Sequence, residues 1–176
     1  MLALSAVWER VSGPTKLKNP RSSMKTHYVP KGYHTATPYL IVKEAARALE
    51  FYQSVFGAKE KMRMPGPGGK IMHAEITLGD SIIMLADEFP EMGAVGPLTI
   101  GGTPMYLLLY VEDVDAVVAR AVAAGVQLLR PVENQFYGDR TATIADPFGH
   151  KWTLATHVED VSQEEMQRRM EKMGKP

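Results

Sequence analysis

The chain has 176 residues, with 20 Lys and Arg against 20 Asp and Glu, and no cysteine. That length supports one domain with a substantial core. Zero formal net charge offers no basic stripe for nucleic acid, and the lack of cysteine excludes disulfides and thiolate metal sites, in keeping with a reducing cytoplasm. No apolar run reaches the roughly 18 residues of a membrane helix. Met1 to Val7 is too short, and lacks the charged lead, for a secretory signal. The 11 methionines predict a soft, adaptable apolar interior.

Residues 1–32 carry Pro14, Pro20 and Pro30 and no sustained period, and read as a mobile arm. Met24 is an alternative start. Thr35 to Val42 reads as a strand, with Pro38 marking a bulge or an edge. Ala45, Ala48, Leu49, Tyr52 and Phe56 fall at helical spacing, and Gly57 is a suitable stop. A short strand over Lys59 to Met64 leads to the turn Pro65-Gly66-Pro67-Gly68-Gly69, which lacks the order of a phosphate-binding glycine motif. His73 to Leu78 alternates, with Ala74, Ile76 and Leu78 on one face and His73, Glu75 and Thr77 on the other. Ser81 to Ala86 closes this half, and 87–103 reads as a long loop.

The second half repeats the pattern. Met105 to Val111 is a strand, and Asp113 is placed to cap a helix whose buried stripe is Val114, Val117, Val118, Ala121 and Val122. Gly125 ends that helix, Val126 to Arg130 is a short strand, and Glu133 to Gly138 is a loop carrying Phe136 and Tyr137. Thr141 to Thr156 then reads strand, turn, strand, the turn set by Asp146-Pro147 and Gly149. Val42 and Val111, Leu40 and Leu109, and Leu85 and Leu154 are each 69 residues apart. A repeat this long exceeds solenoid units and predicts one domain of two modules. The predicted fold class is α+β: two tandem β-α-β-β-β modules forming a curved, cup-like mixed sheet with helices outside. The modules are 33–86 and 104–158, joined by 87–103. Ser162-Gln163-Glu164-Glu165 is a capping box for a last helix within 159–176, on which Met166, Met170 and Met173 form a stripe expected to dock.

Several segments resemble the vicinal oxygen chelate superfamily of glyoxalases, bleomycin-resistance proteins and extradiol dioxygenases, in its PhnB-like branch. They are Gly32 to Val42, Ala48 to Tyr52, Val55 to Ala58 and His73 to Asp80, then Tyr110 to Ala116, Phe136 to Arg140 and Asp146 to Trp152. The resemblance implies a cup between curved sheets and, usually, dimerisation. It also implies metal ligands on the first and last strands of each module, positions filled here by Thr37, Met84, Tyr106 and Thr153. Neutral hydroxyls and a thioether do not supply the imidazole or carboxylate that a divalent ion wants. The reading is therefore no metal site at these positions, with an atypical divalent metal left open.

With Thr37 facing the cup, alternation adds Tyr39, Ile41, Ile82, Met84, Tyr106, Leu108, Tyr110, Thr141, Thr143, Lys151 and Thr153. This lining suits a small aromatic or drug-like ligand. His73 and Glu75, two apart on one strand face, read either as an acid–base pair or as an ordinary hydrogen-bonded pair. Phe136 and Tyr137 read either as a cover that stacks on a planar ligand or as loop packing. Arg140 is expected to pair with Asp146, with an anionic ligand as the alternative, His150 to be a solvated turn residue and Trp152 to be core. Two functions follow: a metal-independent binding protein of bleomycin-resistance type, or a lyase, isomerase or dioxygenase using His73 and Glu75 or an unusual metal. Absence of a nucleotide fingerprint argues against a methyltransferase.

Overall fold

The structure, a computed structural model, describes residues 26–173. The predicted arm and the start at Met24 lie, through residue 25, outside the described residues. Contacts divide the chain into residues 1–30 and 31–176. In the first unit, residues 26–30 form no helix or strand.

Two four-stranded sheets follow one another along the chain, and each has the same topology. The first contains β1 (Tyr39–Val42), β2 (Lys59–Pro65), β3 (Ile71–Leu78) and β4 (Ser81–Asp87), in the order β1-β4-β3-β2. The second contains β5 (Tyr106–Tyr110), β6 (Gln127–Asn134), β7 (Asp139–Ala145) and β8 (Lys151–His157), in the order β5-β8-β7-β6. Each sheet has one parallel pair, β1 with β4 and β5 with β8, and its other pairs are antiparallel. The crossover of the first module is α1 (Ala45–Phe56) and that of the second is α3 (Val114–Ala123). The α+β class and the two-module repeat stand, with the strands in two separate ladders.

The repeat extends to hydrogen bonds. Asp87 Oδ1 accepts from the backbone N–H of Ala45 at 2.8 Å, and Thr156 Oγ1 accepts from Val114 N–H at 2.9 Å. Both acceptors sit at the end of the last strand of their module, 69 residues apart, and each satisfies an otherwise orphaned donor at a helix start. The second helix has a further cap, since Asp113 accepts from Ala116 N–H at 3.0 Å. Gly57 ends α1 at φ 70°, where a side chain would be strained.

Alternation assigns the faces. Ala74, Ile76 and Leu78 are buried on the helix side of β3 with Ala48, Leu49, Tyr52 and Val55 of α1. Between the modules, an aromatic cluster joins α1 to the β7–β8 turn. Tyr52 lies 5.6 Å from Trp152 and 6.1 Å from Phe148, and Phe56 lies 4.9 Å from Trp152, between ring centres. Asp146, itself buried, accepts from Tyr52 Oη at 2.8 Å, Trp152 Nε1 at 2.9 Å and the N–H groups of Phe148 and His150, each at 2.9 Å.

Several expectations are corrected. Strand β1 begins at Tyr39, four residues later than Thr35, because Pro38 has no N–H for the ladder, although its carbonyl still accepts from Met84 N–H at 2.9 Å. Val122 is 49 % exposed; it lies about 80° round the helix from Val114, at the flank of the stripe. Segment 87–103 is more ordered than a plain loop. It carries a bridge between Phe89 and Ala94, a 3-10 turn at Pro90–Met92 and α2 (Pro97–Ile100). Arg140 pairs with Asp115 of α3, at 2.6 and 2.7 Å, and not with Asp146, whose acceptors are already taken. His150 is buried, with Nε2 3.1 Å from the Ile41 carbonyl. On α4 (Gln163–Lys172) the expected cap is present, Ser162 Oγ accepting from Glu165 N–H at 3.2 Å, yet Met170 and the following Met173 stay exposed rather than docked. Arg169 fixes this helix to Glu159 at 2.6 and 2.8 Å.

Candidate functional site

The sheet faces opposite the helices are open. On them stand large apolar and aromatic side chains in contact with solvent: Tyr39 at 46 %, Tyr106 at 52 %, Leu108 at 56 % and Tyr110 at 58 % exposure, with Met62 and Met64 on β2, the edge of the first sheet opposite β1. On the central strands of the second sheet lie the smaller Thr141 and Thr143, both buried, and the half-buried Thr153. Thr143 is directly opposite Thr153, and Leu108 is in register with Thr153. In the first sheet Tyr39 is in register with Met84, and Met84 with Glu75. The Lys151 ammonium stands 5.3 Å from the centre of the Tyr106 ring. Thr37 lies just ahead of β1, its hydroxyl donating to the His34 carbonyl at 3.3 Å.

The most polar point of the open face of the first sheet is built around Glu75, which is 4 % exposed. Its Oε2 accepts from Tyr33 Oη at 2.6 Å and from Lys61 Nζ at 2.9 Å, while Lys61 also donates to Tyr33 Oη at 2.6 Å and lies 3.8 Å over its ring. On the other side, Glu75 Oε1 is 3.3 Å from His73 Nε2, and His73 Nδ1 is 3.0 Å from Tyr39 Oη. Burial raises the Glu75 pKa, but the bonds from Tyr33, Lys61 and His73 outweigh it and hold the carboxyl at about 2. Glu75 is thus an ionised acceptor, already engaged by three side chains. Burial pushes the Tyr39 phenol above its ordinary range.

Tyr33 and Lys61 escaped the sequence reading. Tyr33 comes from the irregular segment before β1. Lys61 is the extra residue of a bulge: Glu60 pairs with Ile76 and Met62 with Glu75, leaving Lys61 without a partner in the ladder. The bulge turns both Lys61 and Met62 toward Glu75, which strict alternation forbids. The hydrophobic pattern of a short, mostly charged edge strand carries no signal for it.

A second acidic centre, also missed, lies on the other sheet. Asp139 accepts from Tyr110 Oη at 2.9 Å and lies 2.7 Å from His157 Nδ1, while His157 Nε2 is 3.0 Å from Asp160. Bonds to Asp139 and then Asp160 raise the His157 pKa. The nearby Phe136 and Tyr137 rings meet edge to face at 5.2 Å, and the Phe136 carbonyl accepts from Arg169 at 3.3 Å.

A divalent ion fits these residues poorly. Thr37, Met84, Tyr106 and Thr153 offer neutral donors. The one acid–imidazole pair on the first sheet has a lysine ammonium already bonded to its carboxylate, which would repel a cation. Among the described residues no group of three or more His, Asp or Glu side chains is placed to hold a metal.

Two β-α-β-β-β modules in one chain, packed helix to helix with their other faces open, define a cup-forming protein of tandem modules. Residues 31–154 match the family model of the Glyoxalase/Bleomycin resistance protein/Dioxygenase superfamily, and the chain belongs to that superfamily. Protein Rv0887c of Mycobacterium tuberculosis is 41% identical over 141 residues, covering 78% of this chain and 83% of its own. TioX from Micromonospora sp. ML1 is similar in structure, with TM-score 0.56, 28% identity and coverage of 69% of this chain and 97% of its own. A PhnB protein from Bacillus cereus shares the fold, with TM-score 0.56, 21% identity and coverage of 70% and 99%. No described helix is long and apolar enough to cross a membrane.

Proposed function

We propose that the chain binds a small aromatic or drug-like molecule on its open sheet faces, without a metal, and that it does so as a cytoplasmic homodimer. One observation carries this: large exposed side chains stand on both open faces, Tyr39, Met62 and Met64 on the first sheet and Tyr106, Leu108 and Tyr110 on the second, and those of the first flank an enclosed polar centre. Small-molecule sites pair apolar walls with a few placed polar groups, and contiguous exposed apolar surface marks an interaction site. The dimer reading rests on the same surface. The modules meet through their helices, so each open face lacks an opposite wall, and a second copy supplies one while covering edge strands, of which the sheets have β1 and β2, and β5 and β6. The absence of cysteine supports the cytoplasmic part.

A screen of small aromatic compounds by thermal melting tests the binding, with Leu108→Asp as the control that should abolish any shift. Sedimentation at micromolar concentration tests the dimer, and a monomeric mass would sink it. The contact between His73 and Glu75 supports a second reading, a glyoxalase-like lyase or isomerase. Alanine at both positions separates the two, because turnover that survives both changes removes the acid–base proposal.

A further inference from the structure

We infer that Tyr39, His73 and Glu75 form a proton relay whose outlet is the Tyr39 hydroxyl, and that its ligand is a phenol. The inference rests on the reading that the open face takes a small aromatic molecule, and adds the ligand's chemical class and its protonation state when bound.

The direction of each bond follows from the chemistry of its ends. Glu75 is ionised and can only accept, so His73 Nε2 carries the proton in the 3.3 Å contact. In neutral histidine Nδ1 is then an acceptor, and Tyr39 Oη donates to it at 3.0 Å. The Tyr39 oxygen keeps its free lone pairs for a ligand, and nearly half of its side chain is open to solvent. Tyr33 and Lys61 saturate the other carboxylate oxygen and keep Glu75 from turning away. Tyr39 faces His73 from β1, Lys61 from β2 and Glu75 from β3, with Tyr33 ahead of β1, while β4 presents the uncharged Met84 at this level.

A ligand O–H donating to Tyr39 Oη completes the string. The ligand's O–H bond breaks and its proton passes to Tyr39, whose own proton passes to His73 Nδ1. The products are a phenolate accepting a hydrogen bond from Tyr39 and an imidazolium whose Nε2–H remains on Glu75. Net charge is unchanged and no co-reactant is needed. The proton given up by the ligand ends on the His73 imidazole, so the step favours the most acidic of neutral hydroxyls, a phenol, whose ordinary value of about 10 falls further with electron-withdrawing substituents. An aliphatic alcohol is far too weak an acid, and a carboxylic acid arrives already ionised beside Glu75. Tyr39 and the thioethers of Met62 and Met64 offer a polarisable surface for the ring.

The test uses para-nitrophenol, whose neutral and ionised forms differ in colour. Equilibrium dialysis reads binding, and absorbance against pH reads ionisation of the bound fraction. The expected result is a bound probe that ionises at least about one pH unit below the free probe, a ten-fold change, with this shift lost from the probe that Tyr39→Phe and His73→Gln hold, more weakly, at raised protein concentration. His73→Gln, which keeps a donor for Glu75, carries the test if Tyr39→Phe fails to fold. A probe that binds but ionises as it does in water, or equally in both variants, overturns the relay and leaves the binding reading standing. A probe that does not bind overturns the phenol class, and the wider compound screen then judges the binding reading separately.

Discussion

Asp146 offers the sharpest test of how the two modules are held together. Its buried carboxylate takes four hydrogen bonds, two of them from the fully buried side chains of Tyr52 and Trp152. Asp146→Ala strands both donors in the aromatic cluster. An unsatisfied buried donor costs about 1–3 kcal/mol, so the two side chains together give a loss of roughly 4 kcal/mol before the turn amides are counted. Against a usual total of about 5–15 kcal/mol, that is a large fraction. Tyr52→Phe removes one donor and leaves three, at a cost of about 1 kcal/mol. Placed in the Asp146→Ala background, the same change should regain stability, because it removes a hydroxyl that has lost its acceptor. Urea denaturation of the four proteins measures this. If Asp146→Ala costs no more than Tyr52→Phe, or if the double variant is weaker than Asp146→Ala alone, the carboxylate is not the junction described.

Glu75 makes stability depend on pH on the acid side. Its folded pKa, about 2, lies below the ordinary 4.5, so the unfolded chain binds the proton more readily. Its contribution is complete above about 4.5 and is lost as pH falls toward 2. Thermal melting across that window should fall more steeply for the natural chain than for Glu75→Gln, and parallel curves would contradict the bonding described. Gly138 has φ 102°, and a Cβ there would collide with the Glu159 carbonyl oxygen. Gly138→Ala should therefore release the segment that leads to α4, seen as faster amide exchange at Val158 and Glu159, whose N–H groups both bond the Gly138 carbonyl. Unchanged exchange would refute this.

Much of the fold was legible because the repeat carries its own check. Helix α1 falls where the spacing of Ala45, Ala48, Leu49 and Tyr52 puts it, and the equivalence of Asp87 and Thr156 shows one cap used at both helix starts. The open-face positions of β3 and β5 followed from period-two alternation. Long-range partnerships were not legible. Arg140 finds Asp115 from a different element, and His150 finds a carbonyl 109 residues away. At the candidate site, alternation brought out His73 and Glu75 but not Lys61, which a bulge redirects, nor Tyr33, which arrives on a segment with no period. The sequence pattern encodes which face a strand buries, and these contacts are set by irregularity.

We propose an open face that takes an organic ligand unaided by a metal, and this can be measured. The most direct measurement begins with elemental analysis of protein purified without chelator or affinity nickel. Melting then follows with added Ni, Zn, Mn and Fe(II), and with the aromatic compound set. Binding to the folded state alone raises the melting temperature by mass action. The account predicts shifts from organic compounds that persist in chelator, and none from the metals. One stoichiometric metal per chain, with a clear shift on its addition, would contradict it.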